Sequence, residues 1–196
     1  MVAKARAAFP SSSIIAGTLG RKVKITPTFI KMMQRVMRRL PNLHWVVAGN
    51  GTNPCLDEAV KNEPLAGRVS VMEGHVDLGI YGRAIDFFLD TFPFVSGYMV
   101  VQLGFYGTPA VSMLAELYRG FQIETRDPEL LVSDIDAYEM QIERLVTEPD
   151  YLAKRRHIAR TLATRLTRTE QAARTLAILV EGLYDELAAG VGVSHV

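Results

Sequence analysis

The sequence predicts an α/β fold built on a parallel sheet with helices on both faces. Three observations lead there. Short apolar runs of strand length recur along the first half of the chain, and Phe87, Phe88 and Leu89 are too apolar for an exposed edge strand. Helical periodicities fall between these runs, and strands joined through helices must run parallel with right-handed crossovers. Glycine and proline clusters at Gly20, Pro41-Asn42, Gly49-Asn50-Gly51 and Gly74 mark the reversals.

Taken in order, residues 13–18 form a first strand, ended by Gly17 and Gly20. Thr26-Pro27 opens a helix, with a hydroxyl to cap it and a proline where the missing N–H costs nothing. Phe29, Ile30, Met33, Val36, Met37 and Leu40 recur at helical spacing, with lysine and arginine on the opposite face. Residues 44–48 give a second strand, 56–61 a short helix and 68–72 a third strand. A helix over 78–85 precedes the fourth strand at 87–89, and a helix over 98–105 leads through Gly107-Thr108-Pro109 into a fifth. After Ser112 the pattern turns helical: 114–118, a last strand at 130–132, a helix capped by Asp134 running to about Val146, another from Pro149, and a terminal helix capped by Thr169 through Leu187. The expected organisation is a sheet domain over residues 13–133 with C-terminal helices, 134–189, packing on it.

Composition excludes several classes. Hydrophobic content of 48% and charged content of 22% exclude disorder, and no apolar run reaches the ~20 residues of a membrane span. Lys4 and Arg6 are followed by Pro10 and serines rather than a continuous apolar core, so no signal peptide is expected and a cytoplasmic location is. The single cysteine, Cys55, allows no internal disulfide and reads as a small apolar side chain at a helix start. Every Lys and Arg from Lys4 to Arg39 precedes the first acidic residue, Asp57, so the front of the molecule is expected to be basic. Without interleaved aromatics this argues for a local phosphate site rather than nucleic acid.

The candidate site residues lie at the ends of the predicted strands. Arg21, Lys22 and Lys24 fall where a sheet's carboxyl edge meets a helix N-terminus, a setting for an anion, though a basic loop alone is commonly just solvated. Gly49-Asn50-Gly51 misses the dinucleotide fingerprint, following the second strand with no acidic residue on the next, and reads as a tight turn or a backbone contact to a ligand. Residues 86–109 offer an apolar strand, a loop broken by Pro93 and Gly97, and a helix whose N-terminus would face an anion. His75 suits either a ligand contact or an ordinary loop position, and His44, His157 and His195 share no metal-ligand spacing with it. Lys154, Arg155, Arg156 and Arg160 read as one wet helix face.

Three segments together carry a resemblance: VKITPTFIKMMQRVMRRLPNLHWVVAG from Val23, IDFFLDTFPFVSG from Ile85 and GTPAVSM from Gly107. In order and spacing they resemble the nucleotide-sugar-binding, Rossmann-like C-terminal half of GT-B glycosyltransferases, most of all O-linked N-acetylglucosamine transferase and related cytoplasmic bacterial N-glycosyltransferases. The resemblance implies that Lys24 contacts the nucleotide diphosphate, with Arg21 beside it, and that Gly74 and His75 lie in the loop that reads the base. It implies further that Ser96, Gly97, Tyr98 and Met99 cradle the diphosphate. Gln102 matches an acidic residue that bonds the ribose hydroxyls, and can still donate and accept there.

The implied activity is transfer of a sugar from a uridine diphosphate sugar to an acceptor, without metal or other cofactor. Lys24 and the helix start at Gly97 would stabilise charge on the departing diphosphate. The acceptor, a protein among the candidates, would be bound by a second domain that these residues do not include, supplied in the same chain or by a partner. Two alternatives stand beside this: a GT-B nucleotide-sugar epimerase, with Glu73 and Asp77 as its acid/base residues, and a non-catalytic domain binding another chain through Phe92, Phe94 and Tyr98.

Overall fold

The computed structural model describes residues 1–11, 13–74 and 76–166. The predicted helix from Thr169 through Leu187 and the site residue His75 lie outside them. Two compact units divide the chain, Met1–Ala163 and Thr164–Val196, and the elements below belong to the first, apart from the end of the last helix.

Six strands form the sheet in the order β3-β2-β1-β4-β5-β6. They are β1 (Ile14–Leu19), β2 (Leu43–Gly49), β3 (Val69–Glu73), β4 (Phe87–Leu89), β5 (Ala110–Met113) and β6 (Leu131–Val132), and every pairing is parallel. The order steps outward from β1 in one direction and restarts from β1 in the other, so β1 and β4 flank the switch point. Gly17 lies inside β1 rather than ending it: a Cβ there would meet Ile85 Cδ1 at 2.6 Å, so its absence admits the segment entering β4.

Alternation along the strands sorts the core into two layers. Ala16, Trp45, Val47, Phe87 and Leu89 face one layer, covered by α2 (Pro27–Arg39), α3 (Pro54–Ala59) and α7 (Ile135–Thr147). Ile15, Leu19, Val46, Ala48 and Phe88 face the other, covered by α1 (Val2–Ala7), α4 (Leu78–Ala84) and α5 (Met99–Phe105). The apolar stripe read for α2 is buried, and Thr26 caps it by accepting from Phe29 N–H at 3.2 Å. Arg68 closes the far end, its guanidinium donating to the carbonyls of Met37 at 2.6 Å and Leu43 at 3.1 Å.

Two short helices were not expected. α1 is held by Arg6, which donates to Asp86 at 2.7 Å. Beyond a single 3-10 turn at Glu116–Tyr118, within the predicted 114–118 helix, α6 (Arg119–Thr125) follows, tied back by Gln122 to Met113 and Ala115 at 2.9 and 2.7 Å. The basic run on α8 (Pro149–Leu166) is not a uniform wet face: Arg155 is 1% exposed and pairs with Asp127 at 3.0 Å, while Arg156 reaches Asp86 at 2.5 Å. Their acidic partners come from other elements, which helix periodicity does not reveal.

The basic character of the front of the molecule is partly offset in space. Acidic residues from later in the chain meet it: Glu73 pairs with Lys22, Asp86 with Arg6, and Glu139 with Arg35 and Arg39. Among the described residues no helix is long and apolar enough to cross a membrane.

Candidate functional site

The carboxyl ends of β1 and β2 meet backbone to backbone. A Cβ on Gly49 would collide with the carbonyl of Gly20, so only glycine allows the two loops to touch. Gly20 N–H donates to Ala48 at 2.8 Å and Lys22 N–H to Asn50 at 3.1 Å, locking the contact. Buried Asn53 completes it, donating to the carbonyls of Lys22 and Ile25 at 2.9 and 2.8 Å while its oxygen caps α3.

The joined loops and the turn after β3 enclose a cleft of about 140 Å³. Leu19, Ala48, Val76, Leu78 and Met99 give it apolar walls, and Arg21, Asn50 and Gly74 its polar and backbone rim. Lys22 is absent from the cleft: it is 1% exposed and paired with Glu73. Lys24, half-buried, turns instead toward the loop after β4, donating to the Val95 carbonyl at 3.3 Å. An ammonium has three donors, so this bond leaves capacity for an anion.

That loop is rigged from inside by Asp90. Its carboxylate accepts from Ser96 N–H at 2.6 Å and from Ser112 Oγ at 3.0 Å, and stands 3.9 Å from Arg126. Arg126 in turn donates to the carbonyls of Ser96 and of Gly97, the latter at 3.2 Å. Burial pushes the Asp90 carboxyl above its ordinary range, against the pull of Arg126 and the serine hydrogen bonds, and burial likewise lowers Arg126. Tyr138 donates to the Asp90 and Val111 carbonyls at 2.8 and 3.0 Å, fixing the strand ends beneath. Asp90 and Arg126 are therefore positioning residues that the sequence reading missed. A charged pair this deep is visible in a sequence only if its partner is known.

Of the predicted site residues, Arg21, Gly74 and Met99 line one cleft, while Ser96 and Gly97 lie on the loop that runs into α5, which Lys24 reaches from the turn after β1. Tyr98 begins α5 without a side-chain cap and is 58% exposed, and Gln102, also exposed, does not line the cleft. Thr26 occupies one of the N–H groups at the start of α2, narrowing what that end offers a ligand. Phe92 is not a surface residue: it is buried, 5.2 Å from the Phe29 ring and 5.4 Å from that of Tyr138, which leaves only Phe94 and Tyr98 of the apolar surface outlined above.

Glu73 is engaged by Lys22, and Asp77 caps α4 by accepting from Gly79 N–H at 2.7 Å, so both proposed acid/base residues have structural tasks. Cys55 sits at the start of α3, exposed. Past the 92–95 loop lies a second, apolar cavity of about 340 Å³ between Thr28, Pro93, Met113 and Ile135. Among the described residues no group of His, Cys, Asp or Glu gathers as a metal site would require.

No family model matches the sequence, and no curated protein does. Solved structures match closely in fold. An O-GlcNAc transferase mutant of Thermobaculum terrenum is 20% identical with a TM-score of 0.69, over 89% of this chain and 36% of that one. HepE of Anabaena, solved in complex with UDP and glucose, is 16% identical with a TM-score of 0.70, over 90% of this chain and 51% of that one. The C-terminal domain of the group 1 glycosyl transferase LpcC of Francisella tularensis is 19% identical with a TM-score of 0.63, over 78% of this chain and 85% of that domain. The chain thus spans between about a third and a half of the larger enzymes and most of the isolated domain. With the strand order, the two helical layers and these matches together, the chain has the fold of the C-terminal domain of a GT-B glycosyltransferase.

Proposed function

We propose that this domain binds the donor, a uridine diphosphate sugar, of a glycosyltransferase that works without a metal ion. The observation that carries the reading is the cleft at the carboxyl ends of β1, β2 and β3, lined by Arg21 and Met99, with Lys24 held at the adjoining loop. Apolar walls and backbone rim suit a flat base, and the cations at its edge suit a diphosphate.

Transfer breaks the bond between the anomeric carbon and the diphosphate oxygen as the acceptor attacks, so negative charge grows on the departing oxygens. Lys24 would neutralise that charge, and the Asp90–Arg126 rigging of Ser96 and Gly97 steadies the loop to which Lys24 is bonded. The acceptor would be held by a second domain, in keeping with the 36% of the Thermobaculum enzyme's length that this fold accounts for.

Isothermal calorimetry with uridine diphosphate tests the reading on the wild type and on Lys24→Ala. Loss of one charge-assisted contact is expected to weaken binding by about 1.5–3 kcal/mol. A wild type that gives no heat of binding, or a variant that binds as well as it does, rejects the assignment.

A further inference from the structure

At the opposite edge of the sheet, where β4 and β5 begin, lies a polar cleft of about 440 Å³ unrelated to the nucleotide cleft. Its walls are the end of α4, the turn from α5 into β5 and the outer face of α8. Three arginines project into it: Arg83, Arg156 and Arg160. Among the described residues no acidic side chain lines it.

The backbone is shaped to bring the arginines there. A Cβ on Gly104 would stand 2.9 Å from the Ala159 carbonyl, so the glycine lets α8 lie hard against α5. Arg156 and Arg160, one turn apart on α8, consequently share the face over the turn into β5. At Gly107, with φ of +75°, a Cβ would meet Arg160 Nε at 2.5 Å, so the guanidinium takes the space of the missing side chain. Thr108 is held away by donating to the Gly82 carbonyl.

The charges there are not balanced. Asp86 pairs with Arg156 at 2.5 Å but also with Arg6 at 2.7 Å, so one carboxylate answers two guanidinium groups. Arg83 stacks 4.9 Å over the Tyr106 ring, which leaves its N–H edge open. The Arg160 guanidinium has no hydrogen bond or ion pair among the described residues. Like charges converging on one cavity repel, and a dianion between them reverses the sign of the interaction. Guanidinium forks match the oxygens of a phosphate group in geometry as well as charge.

We propose that this cleft is a binding site for a phosphate group, contacted by Arg83 and Arg160, with Arg156 as the fixed inner cation. Its position at the amino ends of the strands makes it independent of the donor cleft and of the function assigned to that cleft. A soluble phosphate compound and a phospholipid headgroup present the same chemistry, and separate arms of the test distinguish them.

In the first arm, inorganic phosphate is titrated into the full chain and followed by amide proton–nitrogen NMR against chloride of matched ionic strength. Saturable shifts confined to the amides of Gly82, Gly107 and Thr108 are expected, with affinity reduced about tenfold or more in the Arg83→Gln/Arg160→Gln double variant. Absent saturation, shifts reproduced by chloride, or a double variant that titrates like the wild type overturns the site. Should the double variant misfold, Arg160→Gln alone carries the comparison, with a smaller reduction expected and none overturning the site. In the second arm, vesicles of phosphatidylcholine containing phosphatidic acid are co-sedimented with the wild type and the variant. Phosphate-inhibited co-sedimentation lost in the variant assigns the site to a headgroup. Phosphate binding without co-sedimentation assigns it to a soluble compound, and co-sedimentation retained by a variant that no longer binds phosphate overturns the headgroup source.

Discussion

His44 shows how one buried side chain couples the sheet to pH. It lies 6% exposed on β2, its ring 5.8 Å from that of Phe9 and its Nε2 2.8 Å from Ser70 Oγ. Burial, reinforced by the charge of Arg68, lowers its pKa below 6.5. A base depressed in the folded state is protonated more readily in the unfolded chain. Its contribution is therefore complete above pH 6.5 and is lost as the pH falls from there toward the folded-state value, at no more than about 1.4 kcal/mol per pH unit. Urea unfolding at about pH 7.5 and pH 5.5 is expected to show a larger loss for the wild type than for His44→Gln, and equal losses would refute the coupling. Lysines in the loop after β1 show what one residue hides. Lys22 and Lys24 look alike in the sequence, yet one is buried against Glu73 and the other bonds the Val95 carbonyl. The partners lie dozens of positions away, so only the resemblance to known enzymes singled out Lys24.

Elements that announce themselves locally were legible. Thr26 and Asp134 each accept from an N–H in the first turn of the helix they begin, and such caps need nothing beyond their own few residues; the Asn53 cap, which starts α3 two residues before the predicted 56–61, went unread. Helices α1 and α6 are a different case, being short and anchored by one polar side chain each, Arg6 to Asp86 and Gln122 to the Met113 and Ala115 backbone, rather than by their own periodicity. α6 matters most, because it delivers Arg126 to the loop after β4. Replacing Arg126 with methionine removes the partner of a buried carboxylate and the donor to Ser96 and Gly97. Breaking a buried pair in this way is expected to cost about 3–5 kcal/mol. Amide exchange over residues 94–98 should accelerate more than in β2, which lies across the sheet from the change. Exchange that rises uniformly would mean that Arg126 supports the core as a whole and has no special hold on the loop.

Across the molecule, the alternation of strands and helices indicated a parallel sheet covered on both faces, while the strand order β3-β2-β1-β4-β5-β6 became visible only in the structure. Charge did not map so directly: the basic first segment is met by acids from β3, from the start of β4 and from α7. One side chain reports on the whole of this arrangement. Trp45, the only tryptophan, is fully buried in the middle of the sheet, its Nε1–H donating to Thr18 Oγ1 at 3.0 Å. It does not line the cleft at the ends of β1, β2 and β3, so a nucleotide bound there as proposed should leave its native emission unchanged while stabilising the fold around it. Ligand that binds only the folded state at about 100 times its dissociation constant adds about 2.7 kcal/mol to unfolding. For a domain of this size that moves the urea midpoint of Trp45 fluorescence upward by about 1 M. The same concentration should move the midpoint of Lys24→Ala far less, since a weaker complex is further from saturation. A wild-type midpoint indifferent to uridine diphosphate would place the cleft among surface features of the sheet and remove the basis for a donor site.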